Sequence, residues 1–234
     1  MTLDLKGHHV ASGCRLDGVR QATHDGVKYE IAGIINYSGG RTKIEERGCF
    51  AATDPSSQMR PDISVRNPPD GGSELLLDVC VTSPLPGVGN GNLSNSSLNL
   101  TAAVDVGRAA RTKFNNKNIK YKAIAEANQL SFLPIIFEST GRLHPESLQF
   151  FKDLAKYAEE EKRIDKTVLF AYMMNRISCA LQKNIARSII RRLAVVNSHR
   201  DRDVARSYDT SHDFVSTHNH FYVNNRLITN TTED

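Results

Sequence analysis

An aspartate stands in the middle of a β-prone apolar run, E-L-L-L-D-V-C-V-T at 74–82, and that placement limits the folds open to the chain. A run this apolar reads as a central strand with both faces covered. A carboxylate there loses its hydration, so it needs a counter-charge, hydrogen-bond donors or a metal ion. Upstream, R-P-D-I-S-V at 60–65 reads as a shorter strand. Between the two, N-P-P-D-G-G at 67–72 is a strong turn signal. The strands are therefore expected to form a hairpin carrying Asp62 and Asp78.

The remaining chain supplies the layers that cover such a sheet. From Leu16 to Tyr37, the apolar residues Val19, Ala22, Val27, Ile31, Ile34 and Ile35 recur at helical spacing, and S-G-G at 38–40 ends that helix. T-K-I-E-E-R-G-C-F at 42–50 alternates like a strand, while 84–99, rich in Gly, Asn and Ser, reads as a loop. A helix is expected over 101–128, a buried strand over 130–139, and helices over 144–164 and 166–193. The order helix, three strands, helix, strand, helices predicts an α/β fold, a mixed sheet flanked by helices. By segment, 1–17 reads as a leader, 18–164 as the core, 165–193 as a basic helix and 194–234 as a loosely ordered polar tail.

Composition narrows the function classes. With 234 residues the chain suits one domain with appendages. Its longest apolar runs, such as L-P-I-I-F at 133–137, fall far short of the roughly 20 residues that span a bilayer. The start, M-T-L-D-L-K-G-H-H, has no basic-then-apolar signal pattern, so a nuclear or cytoplasmic location is expected. Four widely spaced cysteines without a C-x-x-C pair argue against a disulfide scaffold. A net charge of +4 permits nucleic-acid binding without demanding it.

Two acids on neighbouring strands can converge on one hard cation, and Mg²⁺ or Mn²⁺ needs only one or two carboxylates beside water and substrate phosphate. A nearby lysine would neutralise charge developing on a phosphate. Two residues beyond Asp78, on the same strand face, stands Cys80, so the lysine must come from elsewhere. Lys117 and Lys120, three apart in the expected helix 101–128, share a helix face and are both candidates.

R-P-D at 60–62, L-D-V-x-V-T at 77–82 and K-x-x-K-Y at 117–121 together resemble the restriction-like endonuclease, of the PD-(D/E)XK class, in site-specific non-LTR retrotransposon proteins. The resemblance runs over roughly 8–193. It includes T-H-D-x-V-x-Y-E-I at 23–31, I-F-E-S-x-G at 136–141 and A-L-Q-K-N-x-A-R at 180–187. It implies a restriction-endonuclease-like core with an extra C-terminal helix, and a Mg²⁺- or Mn²⁺-dependent endonuclease that nicks DNA so that reverse transcription can begin.

By that likeness Asp62 and Asp78 bind metal, Lys117 or Lys120 is the catalytic lysine and Tyr121 supports the site. Glu30 is a candidate additional acid. A reverse transcriptase or an element's RNA is the further partner implied. Lys183, Arg187 and Arg191, at i, i+4 and i+8, are candidate phosphate contacts, against the plainer reading of a solvated face. His24 and Asp25 either orient the first helix or reach the site.

Two departures from the family pattern stand out. Cys80 replaces the in-strand lysine, and His9 and Cys14 match only the end of the family's zinc knuckle, short of the four ligands a structural zinc needs. Hence the alternative, a catalytically inactive descendant that binds nucleic acid or acts as a scaffold. Another nuclease of the same fold, a homing or junction-resolving enzyme, is the second rival.

Overall fold

The computed structural model describes residues 19–50, 59–66, 68, 71–84, 104–200, 221–223 and 226–228. The expected leader, most of the 84–99 loop and the pair His9 and Cys14 lie outside them. Two compact units divide the chain, Met1–Arg192 and Leu193–Asp234.

The first unit is a mixed sheet between helical layers. Helix α1 (Val19–Tyr37) leads to β1 (Arg41–Ile44), β2 (Ile63–Arg66) and β3 (Leu75–Thr82). Helix α2 (Arg108–Ala127) crosses to β4 (Ser131–Glu138), followed by α3 (Pro145–Lys162) and α4 (Lys166–Arg200). The sheet order is β1-β2-β3-β4, with the first two pairings antiparallel and β3–β4 parallel. The expected α/β class and element order are therefore what the chain adopts.

Boundaries differ where tertiary contacts overrode local pattern. The strand expected over 42–50 stops at Ile44, because Glu45 takes a left-handed φ of 50° and turns the chain. Helix α4 runs to Arg200, and the polar tail expected beyond 194 contributes a further antiparallel pair in the second unit, β5 (Phe221–Val223) with β6 (Arg226–Ile228).

Strand β3 divides the core by alternation. Leu77 and Val79 face a core of twenty buried residues built with α1, α3 and α4. That core takes Val27, Ile31, Ile34 and Ile35 from α1 and Leu169, Met173, Ile177 and Leu181 from α4, each a helical stripe. Leu76 and Cys80 face α2, where two smaller clusters hold three buried residues each. Asp78 lies on that face.

Close approach and edge protection complete the frame. A Cβ at Gly26 would sit 2.0 Å from Asn184 Nδ2, so glycine there lets α4 rest directly on α1. Strand β4 is an edge strand and accommodates Pro134, as edges do. Buried Ser147 of α3 donates to the Pro134 carbonyl and accepts from the Ile136 N–H, closing that edge. Gly71, at φ 65°, sits in the β2–β3 turn and donates to the Pro68 carbonyl, as the turn signal requires.

Helix α3 begins with a titratable cap. His144 Nδ1 accepts from the Glu146 N–H at 3.3 Å, Pro145 follows at the first helical position, and the imidazole stacks on Phe114 of α2 at 3.8 Å. Burial pushes the His144 pKa below 6.5, opposed by Glu146 and helped by the Arg111 charge. A protonated His144 loses its acceptor and places a positive charge at a helix N-terminus. The cap thus contributes fully above the ordinary histidine value and is lost as pH falls through the folded-state value. Between about pH 7 and about pH 5, His144→Asn, a cap that does not titrate, should lose less melting stability than wild type. An equal loss in the variant would refute the assignment.

Candidate functional site

The hairpin register brings the two aspartates together. Ile63 pairs with Leu77, so one step outward Asp62 stands across from Asp78. Asp62 lies just before β2, and there its side chain continues the ladder: Oδ2 accepts from the Val79 N–H at 2.7 Å. The Val79 carbonyl in turn faces His24 Nε2 at 3.0 Å. Asp78 feels the Asp62 charge, and on β4 its neighbour in register is Pro134.

Asp78 carries the cost its sequence position implied. Its Oδ2 is buried and has no partner in hydrogen-bonding geometry, although Lys117 Nζ lies 2.7 Å from it as an ion pair. The distance establishes the charge pairing, and the poor direction leaves a lone pair unused. Burial pushes the Asp78 pKa up, only partly offset by Lys117, while the Asp62 charge adds to the rise. The Lys117 ammonium is pulled down by burial but held above its ordinary value by Asp78. Arg60, the other counter-charge within sequence reach, pairs with Glu45 instead.

Of the two candidate lysines, the fold brings one to the acid. Lys117 is half-buried against the sheet, whereas Lys120 is exposed, with Nζ 4.8 Å from the Tyr121 ring centroid. Tyr121 lies against Phe132 of β4 at 5.5 Å, and Lys117 Nζ is 5.5 Å from its ring. Both lysine ammonium groups thus lie near the Tyr121 ring.

Glu30 is not brought to the pair. It lies six residues beyond His24 on α1, about 240° around the helix and about 9 Å along it. It is turned toward α4, where it binds Arg176 Nε, and Arg176 also bonds the Tyr172 hydroxyl. Glu138, at the end of β4, is 3% exposed and accepts from the Ala110 N–H in the first turn of α2.

His24 is the site residue that sequence left undecided, and the fold brings it to Asp62. Its Nε2 is 3.0 Å from Asp62 Oδ2, and its Nδ1 is 3.2 Å from Asp25 Oδ1. Both ring nitrogens face acceptors, the arrangement of an imidazolium. Burial lowers the His24 pKa, but Asp62 and then Asp25 outweigh it and the net direction is up.

Two residues were missed altogether. Lys28 is fully buried and bonds Asp25 Oδ1 at 2.8 Å and Glu45 Oε1 at 2.6 Å. The signal was present: His24, Lys28, Ile31 and Ile35 follow helical spacing, so Lys28 is a charge inside the core stripe of α1. Glu45 offered no such signal.

Lys183, Arg187 and Arg191 are exposed along α4. The same turns of α4 rest on the start of α1: Ser188 Oγ meets Thr23 Oγ1 at 2.8 Å, and Asn184 abuts Gly26. The basic stripe therefore flanks the turn that bears His24.

The donor set fits a hard divalent cation. Asp62 and Asp78 supply carboxylates from neighbouring strands, and Mg²⁺ asks for no more from a protein that shares it with phosphate. Among the described residues no group of three or more His, Cys, Asp or Glu side chains gathers to hold a metal. A closed structural zinc cage is thus not on offer there. No described helix is long and apolar enough to cross a membrane.

No family model matches the chain. It is 25% identical over 169 residues, 71% of its own length, to the retrotransposable element SLACS 132 kDa protein of Trypanosoma brucei gambiense. The matched region spans 13% of that protein. The α/β chain that assembles Asp62, Asp78 and Lys117 is thus similar in sequence to one segment of a retrotransposon-encoded protein.

Proposed function

We propose that this chain is a Mg²⁺- or Mn²⁺-dependent DNA endonuclease that nicks a phosphodiester bond. The observation that carries the reading is the β2–β3 register, which sets Asp62 across from Asp78, with Lys117 on Asp78 from the neighbouring helix. When bound, the cation supplies Lewis-acid polarisation of the phosphate and lowers the pKa of an attacking water. The chain's own groups do the rest. Asp62 is held rigid by the Val79 N–H and His24, so it presents its other oxygen in a fixed direction. The Lys117 ammonium moves from neutralising Asp78 to neutralising charge that develops at the phosphate. Lys183, Arg187 and Arg191 contact the DNA backbone, and Tyr121 limits water beside Lys117.

The similarity to a retrotransposon-encoded protein supports DNA as substrate, with a nick that primes reverse transcription as its use and a reverse transcriptase or element RNA as partner. One observation favours the alternative of an inactive nucleic-acid-binding descendant: the Lys117–Asp78 pair already neutralises the acid that would hold metal.

Supercoiled plasmid incubated with the full chain and Mg²⁺ or Mn²⁺ separates the two. Nicking is expected, with Asp62→Ala and Asp78→Ala each reducing it by about 10²–10³ or more. Intact plasmid with all three proteins, across varied target sequences, would leave the binding-only reading.

A further inference from the structure

Asp62 is fixed twice, once through its side chain and once through its main chain, and the two anchors belong to one closed circuit. Its carboxylate meets His24, which meets Asp25, which binds buried Lys28. Lys28 binds Glu45, and the Glu45 N–H donates back to the Asp62 carbonyl at 3.1 Å. Arg60 closes the outer side by reaching Glu45 Oε2 at 3.2 Å. Charges alternate from Asp62 through His24, Asp25 and Lys28 to Glu45, and the main-chain bond between Glu45 and Asp62 closes the circuit. It joins α1, the corner after β1 and the entry to β2, three segments that share no local sequence.

Glu45 is the joint. It is one of three described non-glycine residues with positive φ, a conformation that costs about 1 kcal/mol or more and persists where surrounding contacts enforce it. Here the contacts are its two ion pairs and its N–H bond to Asp62. The nearby Glu46 forms comparable ion pairs with Lys43 of β1 and Arg66 of β2, neither of which belongs to this circuit.

We infer that Glu45 and Lys28 are positioning residues for Asp62: their ion pair holds the corner that aims the Asp62 carboxylate at the divalent cation. The assignment rests on the metal-dependent reading above. Partners that orient a ligand contribute about 10–100-fold to metal affinity, without touching the metal.

Mn²⁺ titration followed by melting temperature, on the full chain without DNA, reads this apart from turnover. Wild type is expected to gain stability with Mn²⁺, and Asp62→Asn to lose that gain. Glu45→Gln is expected to shift the Mn²⁺ midpoint up by about 10–100-fold. Its metal-free melting should stay within a few degrees, because Asp25 stays on buried Lys28 and the Gln amide oxygen still accepts from it, and plasmid nicking should recover at saturating Mn²⁺. Glu45→Gly keeps the backbone donor and relieves the strained φ, so the same shift there assigns the effect to the side chain. Glu46→Gln is expected to titrate like wild type. A Glu45→Gln midpoint equal to that of wild type overturns the assignment alone. A wild-type chain with no Mn²⁺ response overturns the metal-dependent reading and the assignment together.

Discussion

Replacing Lys117 with methionine is expected to reduce metal-dependent nicking by about 10²–10³, the usual loss when one preorganised charge is removed from a reacting phosphate. Lys120→Met should stay within a few-fold of wild type, because Lys120 is exposed and its closest described partner is the Tyr121 ring. The same substitution has a stability signature. Without Lys117, Asp78 keeps its burial and loses its counter-charge, so a loss of about 1–3 kcal/mol is expected at neutral pH.

The direction of the Asp78 shift makes a cycle informative. A carboxyl whose pKa is raised by folding contributes most at low pH, and that contribution is lost as pH rises through the folded-state value. Ionising Asp78 costs stability at neutral pH, and the Lys117 ammonium it holds returns part of that cost, so Asp78→Asn should melt close to wild type while losing activity. Combining Asp78→Asn with Lys117→Met should recover the stability that Lys117→Met lost, without recovering nicking. Equal activity of the Lys117 and Lys120 variants would sink the assignment of Lys117.

The largest stability effect is expected at Lys28. Lys28→Ala removes a fully buried stem and leaves Asp25 and Glu45 without their shared cation, for a loss of about 3–5 kcal/mol. For a chain of this size that is about 10 °C in melting temperature. Lys28→Met keeps most of the packing volume and should recover about half. Recovery stops there because the two carboxylates, each about one-third exposed, hydrate only in part (32% and 31%). A Lys28→Met chain as stable as wild type would show that packing alone matters at this position.

The Lys28 circuit and the Lys117 pair differ in the layer that carries them. Lys28 lies against the larger core of α1, α3 and α4, and Lys117 lies on α2 over the smaller clusters. Strain introduced on α2 is expected to move Lys117 away from Asp78 before it disturbs Asp62, because Lys117 rides on α2 and the partners of the Asp62 carboxylate lie on α1 and β3. Glu138 opposes that movement by binding the first turn of α2 from the end of β4.

Local sequence by itself determined the hairpin, its two aspartates and the order of the helices. Turn residues at 67–72 and the period-two alternation of β3 act over a few residues, so Asp62 and Asp78 could be placed before any fold was known. The burial of Asp78 was legible for the same reason, a charge inside an apolar run. The choice between Lys117 and Lys120 was not, because helical spacing gives both one face and only the seat of α2 on β3 and β4 separates them. The approach of His24 to Asp62, the diversion of Glu30 to Arg176 and the Lys28–Glu45 bond join residues 17 to 146 positions apart. Such contacts depend on how helices seat on the sheet, which is set by the summed packing of the core and by no single motif.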